Sequence, residues 1–355
     1  MKLHQYGYQG PETFEGGLIP GRVIELRREL CTVLCEQGEV QAVPRGALLH
    51  EAKPGQLPCV GDFVLLRFNQ SGPSPIHGLL PRRTVFSRAD FSGHIAGYAK
   101  TVLEQVVASN FDYVFILSSL NQDFNLNRIR RYLSQARQSD AEPVVLLTKA
   151  DLCADWEGRL AELRAAMPGV AAVALSSRTG LNMEGLLPYL TPGRTLVFLG
   201  MSGVGKSSLL NALMGHDVMG TAAIREDDGR GRHTTTHRQL FMLPSGAMVI
   251  DTPGMRELGL IGGGEGVSTA FSDVEAVLRR GCRFSDCSHG NEPGCAVQAA
   301  LESGELSCES WQAYLKLKRE AAIMEDKSAF IHEKRERGKE IAQFSRRRKK
   351  EGGKP

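Results

Sequence analysis

Residues Gly200-Met201-Ser202-Gly203-Val204-Gly205-Lys206-Ser207 fill the pattern Gly-x4-Gly-Lys-Ser/Thr. Such a loop does phosphate chemistry. Its glycines let successive backbone N–H groups curl around phosphate oxygens, and the N-terminus of the following helix adds partial positive charge. Lys206 is placed to reach the β- and γ-phosphates and to serve as a catalytic residue, and Ser207 is placed to ligate Mg²⁺. Gly200, Ser202, Gly203, Val204, Gly205 and Ser208 complete the expected nucleotide contacts. The pattern counts only in context, and the context is present: an apolar run, Thr195–Leu199, precedes it, and Ser208-Leu209-Leu210-Asn211-Ala212-Leu213 reads as a helix after it.

Asp251-Thr252-Pro253-Gly254 follows a second apolar run and has the form of an acidic motif. Asp251 is expected to hold Mg²⁺ through water, with the Gly254 N–H facing the γ-phosphate. Between the two motifs lies Gly229-Arg230-Gly231-Arg232-His233-Thr234-Thr235-Thr236, in the place of a switch segment, and Thr235 is expected to complete the Mg²⁺ shell. The position after Gly254, where many such enzymes use Gln to orient the attacking water, is Met255. Met255 has no suitable donor or acceptor. His233 is the candidate within the chain, because an imidazole can accept from water and its unperturbed pKa lies near neutrality.

Thr148-Lys149-Ala150-Asp151 identifies the base. A carboxylate there accepts both the N1–H and the N2–H₂ of guanine. Adenine would leave it unpaired, which disfavours an ATP-dependent enzyme. The Lys149 stem can cover one face of the base. Ser176 and Ser177 follow the next strand and can offer a backbone N–H to the guanine O6. Farther on, Cys282-x4-Cys287-x-His289-x5-Cys295 offers three thiolates and an imidazole. Four protein ligands of this kind suit one tetrahedral Zn²⁺ per chain in a structural role, with no coordination position left open for catalysis.

These groups need elements to hold them. Residues 17 to about 88 contain about five short β runs bounded by Gly and Pro, which suit a small barrel; an OB-fold and an SH3-like barrel both fit. Beyond Arg88 the pattern changes. Strands are expected at Phe111–Leu117, Pro143–Leu147, Val170–Leu175, Thr195–Leu199 and Met248–Ile250, with helices over Asn127–Gln138 and Asp155–Met167. Such alternation means a doubly wound parallel sheet. A Cys/His-rich segment and charged helical sequence follow. The chain has 355 residues, 42% hydrophobic and 23% charged, with a net charge of +3. Lys334 to Pro355 carries ten Lys/Arg against three Glu, a net of +7, so the remainder holds −4. A basic tail on a slightly acidic body favours a polyanionic partner. With no apolar run long enough to span a membrane and no leader-like start, the expected location is cytoplasmic.

The order of the motifs is unusual: the guanine motif comes before the phosphate loop. The same sheet forms if the usual termini are joined and the chain is reopened elsewhere. Together with Leu80-Pro81-Arg82-Arg83-Thr84-Val85-Phe86-Ser87-Arg88, Arg232–Thr236 and the Cys/His segment, this order resembles the circularly permuted, ribosome-small-subunit-dependent GTPases of the RsgA family. The resemblance covers nearly the whole chain. It implies an OB-fold that binds RNA over 1–88, a permuted GTPase domain over 89–262 and a zinc-binding domain with a basic helical tail over 263–355. It also implies a monomer that binds GTP/GDP, the small ribosomal subunit and its rRNA, hydrolyses GTP, and acts in late subunit maturation. One departure is Thr148, where such motifs commonly have Asn.

Overall fold

The computed structural model describes residues 3–27, 30–51, 55–93, 101–121, 124–218, 238–251, 265–290 and 292–322. Five strands form the first unit: β1 (Ile19–Arg27), β2 (Leu30–Cys35), β3 (Gly38–Pro44), β4 (Phe63–Leu66) and β5 (Ser74–Leu79). β1 pairs with both β2 and β4, β3 runs parallel to β5, and β4 closes on β5. The circuit is therefore 1-2-3-5-4-1, with helix α1 (Gly46–Glu51) between β3 and β4. This is the OB arrangement, and it decides between the two barrels that the sequence allowed. Period-two alternation fills the interior: Cys31, Val33 and Cys35 from β2 meet Val23, Ala42, Val64, Leu66 and Ile76.

A hairpin, β6 (Val85–Gly93) and β7 (Thr101–Ser109), leads out of the barrel. The main sheet then contains β8 (Tyr113–Ser119), β9 (Glu142–Thr148), β10 (Ala171–Ala174), β11 (Thr195–Leu199), β12 (Arg238–Met242) and β13 (Met248–Asp251). Its order is β10-β9-β8-β11-β13-β12. All neighbours are parallel except β12, which runs antiparallel to β13. The strands are apolar on both faces because both faces are covered. Val114, Ile116, Val145, Leu147, Val197 and Leu199 face one apolar layer, and Phe115, Leu117, Val144, Leu146, Leu196 and Phe198 face the other. Helix α2 (Leu126–Arg137) packs Ile129, Leu133 and Ala136 into the first layer, and α3 (Trp156–Ala166) adds Leu160 and Leu163. Asn125 and Asp155 cap the two helices by accepting from the N–H groups of Arg128 and Gly158. Helix α4 (Lys206–Met214) brings Leu209 and Leu210 to the second layer.

The barrel and the main sheet are continuous. β12 pairs antiparallel with β1, Glu25 opposite Gln239 and Leu26 opposite Arg238. Arg22 fastens the same junction. It is 1% exposed and donates to the carbonyls of Tyr6 and Asn110 and to the Thr195 hydroxyl, with its guanidinium over the Phe63 ring. Burial lowers its pKa to about 9, which leaves it charged at neutral pH, and the accepting oxygens offset the cost of that burial.

Helices α5 (Glu265–Ala270), α6 (Ser272–Arg279) and α7 (Ala296–Glu302), with helical residues 308–322, form the last described unit. It packs on α2. Gly266 is needed at that contact, since a Cβ there would lie 2.5 Å from the Ser134 carbonyl oxygen. Arg130 of α2 crosses the seam to Asp273 (2.8 Å), donates to the Ser310 hydroxyl, and lies over the Phe271 ring.

Candidate functional site

Chain order in the main sheet reverses at β8: β9 and β10 lie on one side of it, and β11 and β13 on the other. Ligands of open α/β sheets bind outside the carboxyl ends of the strands at such a reversal. The phosphate loop, residues 200–205, leaves the end of β11 there. Gly200 has a φ of 150° and sits so close to β8 that a Cβ would meet the Leu117 carbonyl oxygen at 2.6 Å. The loop ends on Gly205, at φ 100°, which accepts the first helical bond of α4 from the Leu209 N–H. Val204, 2% exposed, anchors the loop in the core, while Ser202, Gly203 and Ser208 are exposed and Ser207 is half-buried. Lys206 Nζ arches back over the loop and donates to the carbonyls of Gly200 and Met201, both at 2.6 Å. An ammonium held over a concave run of N–H groups is a site for a polyphosphate.

Thr148 ends β9, the strand beside β8. Its hydroxyl donates to the Val204 carbonyl at 2.6 Å. Lys149 takes the left-handed conformation (φ 59°), a conformation that costs a non-glycine residue roughly 1 kcal/mol or more. That turn brings the Ala150 N–H to the Leu175 carbonyl and leaves Asp151 exposed in a short 3₁₀ turn. The next segment is equally fixed: the Ser176 hydroxyl, 1% exposed, accepts from the N–H groups of Arg178 and Thr179, with Ser177 beside it. Asp251 closes β13, two strands from β8. The residues expected at the site from 148 to 208, together with Asp251, therefore all stand at the carboxyl edge of one sheet. His233, Thr235 and Gly254 lie outside the described residues.

The Cys/His segment forms a second cluster. The ligand atoms of Cys282, Cys287, His289 and Cys295 all lie within 4.8 Å of one another. Cys282 Sγ is 3.9 Å from Cys295 Sγ and 3.4 Å from His289 Nδ1, and Cys295 Sγ is 3.6 Å from that nitrogen. A tetrahedron with zinc bond lengths has sulfur–sulfur edges of about 3.8 Å and sulfur–nitrogen edges of about 3.6 Å. The donor set and its spacing thus fit Zn²⁺. His289 reaches its position through a left-handed backbone (φ 62°), and its ring meets Trp311 edge-on at 5.7 Å. The Ala296 N–H donates to Cys282 Sγ and lowers that thiol's pKa, favouring the thiolate a metal needs. Desolvation, the largest cause, helps push Cys287 up to about 11.

Some charged residues have tasks that the sequence did not show. Arg82 is held by Asp62, which is 1% exposed, through Nε–Oδ1 and Nη2–Oδ2 bonds of 2.6 Å each. It also donates to the carbonyls of Gly55 and Leu57. Arg82 is therefore a structural brace of the barrel. Arg22 and Arg130 went unnoticed as well. For Arg22 there was a signal, a lone charge between Gly21 and Val23 in an apolar strand. For Arg130 there was none, because its partners Asp273 and Ser310 are remote in sequence.

The profile of the family described as RsgA GTPase matches residues 79–261. A Listeria monocytogenes protein named "Small ribosomal subunit biogenesis GTPase RsgA 1" is 46% identical over 328 residues, 92% of this chain and 91% of that protein. This chain belongs to the RsgA GTPase family. Among solved structures, YjeQ from Thermotoga maritima superposes with a TM-score of 0.61 at 27% identity, covering 85% of this chain and 98% of that one. YloQ, described as a circularly permuted GTPase, has a TM-score of 0.58 at 23% identity, covering 89% of this chain and 98% of its own, and shares the fold. The permuted RsgA order is what places Thr148–Asp151 before the phosphate loop in the chain and beside it in space. Among the described residues, no helix is long and apolar enough to cross a membrane.

Proposed function

We propose that the chain is a GTP hydrolase that binds the small ribosomal subunit and assists its late maturation in the cytoplasm. One observation carries the reading of the nucleotide site: the phosphate loop and the guanine motif share the carboxyl edge of one sheet and are joined by the Thr148–Val204 hydrogen bond. The names of the relatives support the ribosomal role. In this reading Asp151 accepts from guanine N1 and N2, and Lys149 covers the base. A backbone N–H at Ser176 or Ser177 meets O6. The phosphate-loop N–H groups, together with Lys206, which leaves its own carbonyls for the substrate, hold the β- and γ-phosphates. Ser207 and Thr235, with Asp251 through water, would hold Mg²⁺, which neutralises charge on the transferred phosphoryl group. The Gly254 N–H would face the γ-phosphate, and His233 would orient the water. The Cys/His cluster would hold one structural Zn²⁺.

The chain divides at 1–88, 89–262 and 263–355. The barrel strands all precede residue 88, β6 carries the backbone across that boundary, and the cluster lies in the third segment. The barrel and the basic tail 346–355, which lies outside the described residues, bind rRNA as a monomer. Turnover of GTP measured with and without purified small subunits tests the reading. Slow turnover alone and faster turnover with subunits are expected, and Lys206→Ala should abolish both. No release of phosphate from GTP under either condition would overturn it.

A further inference from the structure

Thr148 stands where a side-chain amide would have been ordinary, and its hydrogen bonds show what a hydroxyl does there. The residue is 4% exposed. Its carbonyl accepts from the Leu120 N–H at 2.9 Å, which fixes its backbone to the end of β8. Its hydroxyl faces the carbonyls of Val204 (2.6 Å) and Ser118 (3.4 Å). A hydroxyl has one proton to give, and the shorter contact takes it. On the side toward the base, the chain turns at once through left-handed Lys149 to Asp151. On the side toward the phosphates, Val204 is the buried residue immediately before Gly205 and Lys206.

We propose that Thr148 is a positioning residue that holds the base-reading turn and the phosphate loop at one fixed separation, and that it gives no hydrogen bond to guanine. This rests on the nucleotide reading above. The hydroxyl proton is committed to Val204, and the N7 and O6 atoms of guanine are acceptors, so neither gains from Thr148. Discrimination is left to Asp151 and the backbone near Ser176. A nucleotide that touches both subsites profits from their fixed separation, because the orientation is set before binding.

The test is GDP binding by the full chain with Thr148 replaced in turn by Val and Ser. Thr148→Val keeps the shape and leaves the buried Val204 carbonyl without its donor, so GDP affinity should fall roughly 5- to 10-fold. Thr148→Ser should restore most of it. The preference for GDP over IDP, which lacks the 2-amino group, should be the same in all three proteins, and 7-deaza-GDP should bind the unaltered chain as well as GDP does. Unchanged GDP affinity in Thr148→Val would overturn the proposal. So would a loss of 7-deaza-GDP binding that Thr148→Val erases, because the hydroxyl would then be serving N7. Thermal unfolding of each variant separates a local effect from general destabilisation. Asp151→Asn serves as control: if it too leaves GDP binding intact, the nucleotide reading fails, whereas weakened binding there with an unaffected Thr148→Val variant removes only the tether.

Discussion

Arg82 lies in a basic pair, Arg82-Arg83, within the segment that the family resemblance gives to an RNA-binding barrel, and in the structure it is paired with Asp62. The two roles give opposite signatures on substitution. Removing Arg82 strips Asp62 of both its ionic hydrogen bonds and leaves the carboxylate, 1% exposed, to neutral donors such as the Ser109 hydroxyl (2.6 Å) and the Cys59 N–H (2.8 Å). The carbonyls of Gly55 and Leu57 lose a donor as well. Breaking one side of a buried ion pair typically costs about 3–5 kcal/mol, because the remaining charge stays buried. At about 4–8 °C per kcal/mol for a domain of 60–100 residues, Arg82→Ala should lower the barrel's melting point by roughly 12 °C or more. The companion variant Asp62→Asn with Arg82→Ala should regain part of the loss, since no buried charge is then left. The assays are thermal unfolding of the single and double variants, and the salt dependence of binding to small subunits. A phosphate contact would leave stability unchanged and lower the log–log salt slope by about 0.7–0.9. That result would refute the structural assignment of Arg82.

Other outcomes follow from the same geometry. Cys287→Ala should lower zinc content from one per chain and change the emission of Trp311, which the His289 ring contacts, while GDP still binds; zinc-free protein purified without chelator would end the metal assignment. Because the thiols must be ionised to bind, zinc should be lost as pH falls, the sign expected when protons compete with metal for Cys282, Cys287 and Cys295. Metal content measured after dialysis across pH 5–8 checks this sign. His233→Ala should bind GTP and subunits nearly as before yet lose most subunit-stimulated turnover, and normal stimulation would acquit that residue.

The local patterns were legible because local physics fixes them. The phosphate loop, the guanine motif and the Cys/His spacing are short segments whose chemistry depends on neighbouring residue types, and apolar runs flanked by capping residues set α2 and α3 within a residue or two. Chain order alone implied a permuted sheet. The bridging strand β12 and the hairpin β6–β7 were not legible, since strands of mixed polarity are settled by their partners and not by their own propensity. The choice of OB over SH3-like barrel also waited on strand pairing, because β3 meets β5 only after the chain has gone through α1 and β4. Roles of single charged residues were the least legible of all. Arg82, Arg22 and Arg130 look alike in sequence as solvated cations, yet each is bonded to oxygens 16 to 180 residues away, and Arg22 and Arg130 are buried there. A residue's type states which bonds it can make. The partner that makes them, and whether water is excluded while they form, is decided by segments far along the chain, and only the folded structure brings those together.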